Sequence, residues 1–174
     1  MILSSTPAIR KQLNEALSLI AASDFPQKWQ SLLPELVQSV SSESPGTTVA
    51  VLDAMSSIFQ PFRQSTIEES NNTLAYCQTT SAQAVLQAVQ AAGAAAAAAA
   101  GKRDLLKQLC EISRLGNDIV FSLNVYGLSI HMEQYADSWM KVWQAWLEFH
   151  DDSLKEEDGD VENAECVISH SLHF

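Results

Sequence analysis

Four histidines and three cysteines are the residues of this chain best suited to bind a metal or attack a substrate, and 21 acidic side chains offer general acids and bases. None of them falls into a pattern that chemistry needs. His131 and His150 lie far apart around the helix read there, and His170 and His173 stand at the end of the sequence, so no pair shows ligand spacing. Cys77, Cys110 and Cys166 are widely separated and form no C-x-x-C or Cys/His arrangement, so they read as reduced thiols of an intracellular protein. Asp151 and Asp152 are neighbours, but they open an acid-rich run in which carboxylates serve to hold water. There is no glycine-rich phosphate loop, H-E-x-x-H or G-x-S-x-G. The expectation is a protein without catalytic residues, metal or cofactor. Asn71-Asn72-Thr73 matches a glycosylation sequon, and with no secretory signal read in the chain it is taken as unmodified.

Charge and composition narrow the class further. Ten basic residues against 21 acidic ones give a formal charge of -11, which disfavours nucleic acid because neutralising phosphates takes clustered Lys and Arg. A basic protein partner fits that charge, and so does simple solubility. A hydrophobic content of 47% is enough for a core. The uncharged stretch around Ala91–Ala100 is too short and too weakly apolar to cross a bilayer, so a soluble protein is expected.

Periodicity then supplies the elements. Thr6-Pro7 is a helix start, followed by Ile9, Leu13, Ala16, Leu17 and Ile20 at helical spacing. Phe25 precedes a proline and is pushed toward extended geometry, which ends the first helix near Ser23 and lets Pro26 open a second. Trp29, Leu32, Leu33, Leu36, Val37 and Val40 form its stripe, Pro34 is expected to kink it, and the short turn implies antiparallel packing of the two. Ser44-Pro45 repeats the start signal for a third helix through Val51, Leu52, Met55, Ile58, Phe59 and Phe62. A fourth is read from Glu68 to Gln90. Ala94–Ala100, framed by Gly93 and Gly101, reads as a low-complexity insert with helical preference and no function of its own. A fifth helix follows from Leu105 to Leu123. A sixth carries Met132, Tyr135, Trp139, Met140, Trp143, Trp146 and Leu147 on one broad face, which reads as core packing.

The first and third helices begin about 40 residues apart, the unit length of HEAT-type helix pairs. The fold expected is all-α, an α-α superhelix of HEAT/armadillo type with about three helix pairs, each needing neighbours to bury its stripe. The pairs are read as about 7–40, 45–90 and 102–148, with an alanine-rich insert at 91–101, a HEAT segment spanning 1–150, and a flexible acidic tail over 151–174. On these residues alone, a HEAT scaffold for protein interaction and a small helical enzyme are both open as functions.

The residues also carry a likeness. The runs Gln12–Ile20, Asp24-Phe25-Pro26-Gln27-Lys28-Trp29 and Leu32-Leu33-Pro34-Glu35-Leu36 resemble an early HEAT repeat of the importin-β superfamily of nuclear transport receptors. Ile112-Ser113-Arg114-Leu115, Phe121-Ser122-Leu123-Asn124 and Trp139-Met140 are similar to the same family one to two repeats later. The likeness covers about residues 8 to 165, is weak over 71–101 and departs at Val125–His131. It implies an export receptor whose stacked repeats wrap RanGTP together with importin-α in the nucleus and release both after GTP hydrolysis, shuttling between nucleus and cytoplasm. In that family the second helix of each pair lines the inner surface, which makes Lys28, Glu35 and Gln38 the implied contact positions. Phe25, Pro26, Trp29, Leu33, Leu36, Trp139 and Trp143 are implied to hold the architecture. The N-terminal repeats that dominate Ran binding in the family have no counterpart here, so the chain is expected to be part of a longer solenoid.

Overall fold

Proline and glycine set the limits of the helices. In the computed structural model, which describes residues 7–40, 44–65, 67–151 and 154, Pro7 opens α1 (Pro7–Asp24) and α2 spans Leu32–Val40. Pro45 opens α3 (Pro45–Phe59), which tightens into a 3-10 turn over Gln60–Gln64. Then come α4 (Ile67–Ala98) and α5 (Arg103–Leu123), with Gly101 between them at φ +75°, a conformation that glycine adopts without strain. A short α6 (Ile130–Glu133) leads into α7 (Ala136–Glu148). Among the described residues there is no strand, and the all-α HEAT-type stack expected from periodicity is what the chain forms. The expected tail lies outside the described residues apart from Asp151 and Leu154, as do Cys166, His170 and His173.

The helices make two layers. In one, α1 packs on α3 and α3 on α5; in the other, α2 packs on α4 and α4 on α7. Between the layers α2 meets α3, and α4 meets α5 along much of their length. At Gly116 of α5 the two helices leave no room for a side chain: an added Cβ would stand 2.3 Å from Val89 Cγ2. Leu33, Leu52, Met55, Phe59, Val85, Leu106, Ile119 and Leu123 fill the interior.

Several expectations need correction. The second helix starts at Leu32, not at Pro26: residues 25–28 turn, with Lys28 N–H donating to Asp24 O at 2.7 Å, and the Phe25–Pro26 bond is cis. Pro34 therefore falls in the first turn of α2, where a missing N–H has no partner to lose, and no kink is required. The partner of α1 is α3, not the sequence-adjacent α2. Its stripe is also turned differently from expectation. Ile9 and Ile20 are exposed while Asn14 is buried, donating to Asp53 Oδ2 at 2.7 Å. The fourth helix runs on through most of the alanine run, to Ala98. The sixth is two helices broken at Gln134–Tyr135, and Met140 and Leu147 are exposed rather than packed.

Two edges of the stack result from this order. One, the turn edge, carries the turns inside each helix pair, at 25–31, 60–65 and 124–129. The other, the loop edge, carries the connections between pairs, at Ser44, at Ala99–Lys102 and after Phe149. Helix α4 has 32 residues and α2 only 9, so α4 overhangs its neighbour at both edges.

Candidate protein-contact surface

Two of the three implied contact positions, Glu35 and Gln38, fall on the exposed side of α2 in the α2–α4–α7 layer. On α2, Leu32, Leu33 and Val40 are buried, Leu36 and Val37 half-buried, and Pro34, Glu35 and Gln38 exposed. The amphipathic pattern thus delivers Glu35 and Gln38, three residues apart, to one outward face. Lys28 is not on that helix. It stands in the preceding turn, 3.0 Å from Asp24 Oδ1, with a mostly exposed side chain. The hydrogen bond from Lys28, helped by Ser23, holds the Asp24 carboxyl below its ordinary value.

The architectural residues sit at the joints. Phe25 is half-buried against the Tyr76 ring, centroids 6.0 Å apart. Trp29 and Leu36 are partly buried against the core, and Leu33 lies inside it. Trp139 is buried, while Trp143 stacks on it at 5.9 Å and donates from Nε1 to Asn117 Oδ1 at 2.9 Å.

Two features escaped the reading of the sequence. Gln83, Gln87 and Gln90 are exposed on α4, and their i, i+4, i+7 spacing makes one amide stripe in the same layer as Glu35 and Gln38. Primary amides both donate and accept, so such a stripe can meet a polypeptide backbone as well as side chains. The spacing was visible in the sequence, beneath an apolar pattern that drew attention first. The second is Arg63, whose partners lie far off in sequence: Nε donates to Ser122 Oγ at 2.9 Å, Nη2 to Asp118 O at 2.8 Å, and the guanidinium stands 4.7 Å from the Phe121 centroid. Arg114 joins the same cluster, bridging Glu111 and Asp118 at 2.7 and 3.0 Å. Its pKa is raised by the Glu111 hydrogen bonds.

Among the described residues no group of three or more His, Cys, Asp or Glu side chains could hold a metal, and no helix is long and apolar enough to cross a membrane. Burial pushes the Cys77 thiol up to about 12, which makes it a poor nucleophile.

A two-layer, all-helical stack of HEAT type defines the class, and known proteins agree with it. Residues 6–149 match the family described as Exportin 1-like protein, and the chain belongs to that family. It is 30% identical to exportin-2 of Homo sapiens over 170 residues, covering 91% of this chain and 16% of that protein. Exportin-2 of Danio rerio is 28% identical over 159 residues. The importin-alpha re-exporter of Schizosaccharomyces pombe is 40% identical over 63 residues, 36% of this chain and 6% of that protein. A solved structure of the exportin Cse1 in its cargo-free, cytoplasmic state superposes with a TM-score of 0.82 at 21% identity, covering 89% of this chain and 17% of that one. The chain therefore spans about a sixth of the length of the exportin-2 proteins that it resembles.

Proposed function

We propose that this chain is a HEAT segment of a nuclear export receptor that binds RanGTP and importin-α and returns importin-α from nucleus to cytoplasm. The observation that carries the reading is the family match over 6–149, extended by the similarity to exportin-2 over nearly the whole chain and to a protein named importin-alpha re-exporter over part of it. The stack adds support. Ile20 on α1 is 50% exposed and Met140 on α7 61% exposed, and apolar side chains on both outer faces are what a unit inside a longer solenoid presents to its neighbours. The segment acts by binding and not by catalysis, and its receptor works in both nucleus and cytoplasm.

Within the segment, Glu35 and Gln38 on α2, with Lys28 in the turn before that helix, form the contact surface, and the α4 glutamines extend it. The function is tested with the full-length receptor that carries this segment, by titrating importin-α with RanGTP, with RanGDP and with neither. Tight binding only with RanGTP is expected. Binding indifferent to the nucleotide would point to a HEAT scaffold with another purpose.

A further inference from the structure

Where the chain leaves α7, three residues in quick succession fasten it to the loop edge. The Phe149 ring stands edge-on to Trp146, with centroids 5.8 Å apart, and packs against the core. Asp151 Oδ2 then accepts a hydrogen bond from the Gly101 N–H, at 3.2 Å, in the connection between α4 and α5. Leu154 closes a turn by donating its N–H to Asp151 O at 3.1 Å, and its side chain also packs against the core. The acid-rich run therefore starts from an anchored point, and its first carboxylate already lies on the α4–α5 connection.

That connection is where the bases gather. Three of the chain's ten, Lys102, Arg103 and Lys107, fall within six residues and are exposed. Arg103 and Lys107 are four residues apart, so they share one face of α5 within about 6 Å of axial rise. The helix itself disfavours cations there. Its N-terminus is the positive end of the macrodipole, and the N-cap position is held by Lys102, which makes no side-chain cap bond. Asp104 in the first turn offsets part of this charge. Further carboxylates would be favourable at this point, and eight of the 21 acids lie between Asp151 and Glu165.

We propose that the acidic run 156–165 folds back as a strap over Lys102, Arg103 and Lys107, so that the chain leaving the third helix pair closes over the connection between the second pair and the third. The eleven residues from Leu154 to Glu165 reach about 36 Å when extended, several times the spread of the three bases. Anchoring at Asp151 and Leu154 makes the contact intramolecular, which raises the effective concentration of the carboxylates to about the millimolar range. One exposed ion pair contributes little, whereas a network of several on one tether contributes measurably.

Zero-length carbodiimide coupling on the whole chain, read by mass spectrometry, tests this. Amide links from Lys102 or Lys107 to carboxylates of the run 156–165 are expected in about 20 mM salt, and should fall at least about threefold in 1 M salt, where the screening length is about 3 Å. Lys28, at the turn edge, should give none. Neutralising the run with Glu156→Gln, Glu157→Gln and Asp158→Asn leaves the sequence of every helix untouched. It should raise the acylation rate of Lys102 and Lys107 about threefold and leave that of Lys28 unchanged. Links that are absent from Lys102 and Lys107, or spread evenly over Lys28, Lys102, Lys107 and Lys141, would overturn the strap. So would lysine rates indifferent to the neutralised run, which would mean that its carboxylates merely hold water.

Discussion

The turn edge and the loop edge are made from the same helices and hold together by different means. At the turn edge each helix pair spends large or polar side chains on its neighbour: Phe25 on Tyr76, Arg63 on Asp118 and Ser122, Tyr126 on the backbone after Phe59. At the loop edge, α4 packs Ala92, Ala96 and Ala99 into the core beside an open groove lined by Ala88 and Ala91. In a repeat array each interface contributes separately to stability. The contrast teaches that one interface can be closed by large and polar side chains at one edge and by small ones at the other.

Truncation of the core should break or confirm that contrast most forcefully. Phe59 is fully buried at the base of the turn edge and stacks on Phe62, so Phe59→Ala should cost about 3–5 kcal/mol. Val40 borders the groove, where space already exists and side chains can relax into it, so Val40→Ala should cost only about 1 kcal/mol. Urea unfolding of both variants checks this, and equal losses would remove the distinction. Gly116→Ala comes next, because its Cβ cannot fit beside Val89 without movement. A loss of about 1–3 kcal/mol is expected from overpacking at this contact between α4 and α5.

The two described cysteines sample the two edges chemically. Cys77 lies on the turn-edge half of α4 and is fully buried, whereas Cys110 on α5 is partly open. Disulfide-exchange labelling at neutral pH should modify Cys110 at least about tenfold faster than Cys77. The same burial fixes the sign of an alkaline effect. The Cys77 pKa is raised in the folded chain, from an ordinary 9.0 to about 12. Its neutral thiol therefore contributes full stability below pH 9, and that contribution is lost as pH rises from 9 through 12. The loss is on the order of 1 kcal/mol at one pH unit above 9. Replacing Cys77 by Ala should flatten this slope in a pH series of denaturation midpoints.

The smallest effect expected separates two tryptophans on α7. Trp143→Phe gives up the bond to Asn117 and should cost about 1 kcal/mol beyond the change in ring area. The Trp146 indole N–H is buried and has no acceptor among the described residues. Its replacement by Phe should leave the thermal midpoint within about 2 °C of the parent.

Much of the stack was legible from periodicity and proline. Pro7 and Pro45 open helices as their positions imply, and the stripe from Leu105 to Leu123 reads directly as the buried face of α5. The start of α2 was misread because Pro26 and Pro34 compete for the role of first-turn proline. A proline in a helix interior costs about 3 kcal/mol, whereas one in the first turn costs nothing. That difference alone argues for a helix beginning near Leu32. The orientation of α1 was not legible, since an apolar stripe tells which side wants a partner but not which helix supplies it. Asn14 can be buried only because Asp53, on another helix, accepts its bond. Arg63 was invisible for the same reason. Of the proposed contact surface, Glu35 and Gln38 are implied by the resemblance, whereas adding the glutamine stripe on α4 required knowing that α2 and α4 share a layer.

Protection of side chains in the assembled complex tests most directly whether the α2–α4–α7 layer is where this segment meets its partners. Hydroxyl-radical footprinting of the full-length receptor, alone and with importin-α plus RanGTP, reads every exposed position at once. Protection at Glu35, Gln38 and Gln83 upon assembly is the predicted result. Protection confined to α1, α3 and α5, or none anywhere in the segment, would contradict it.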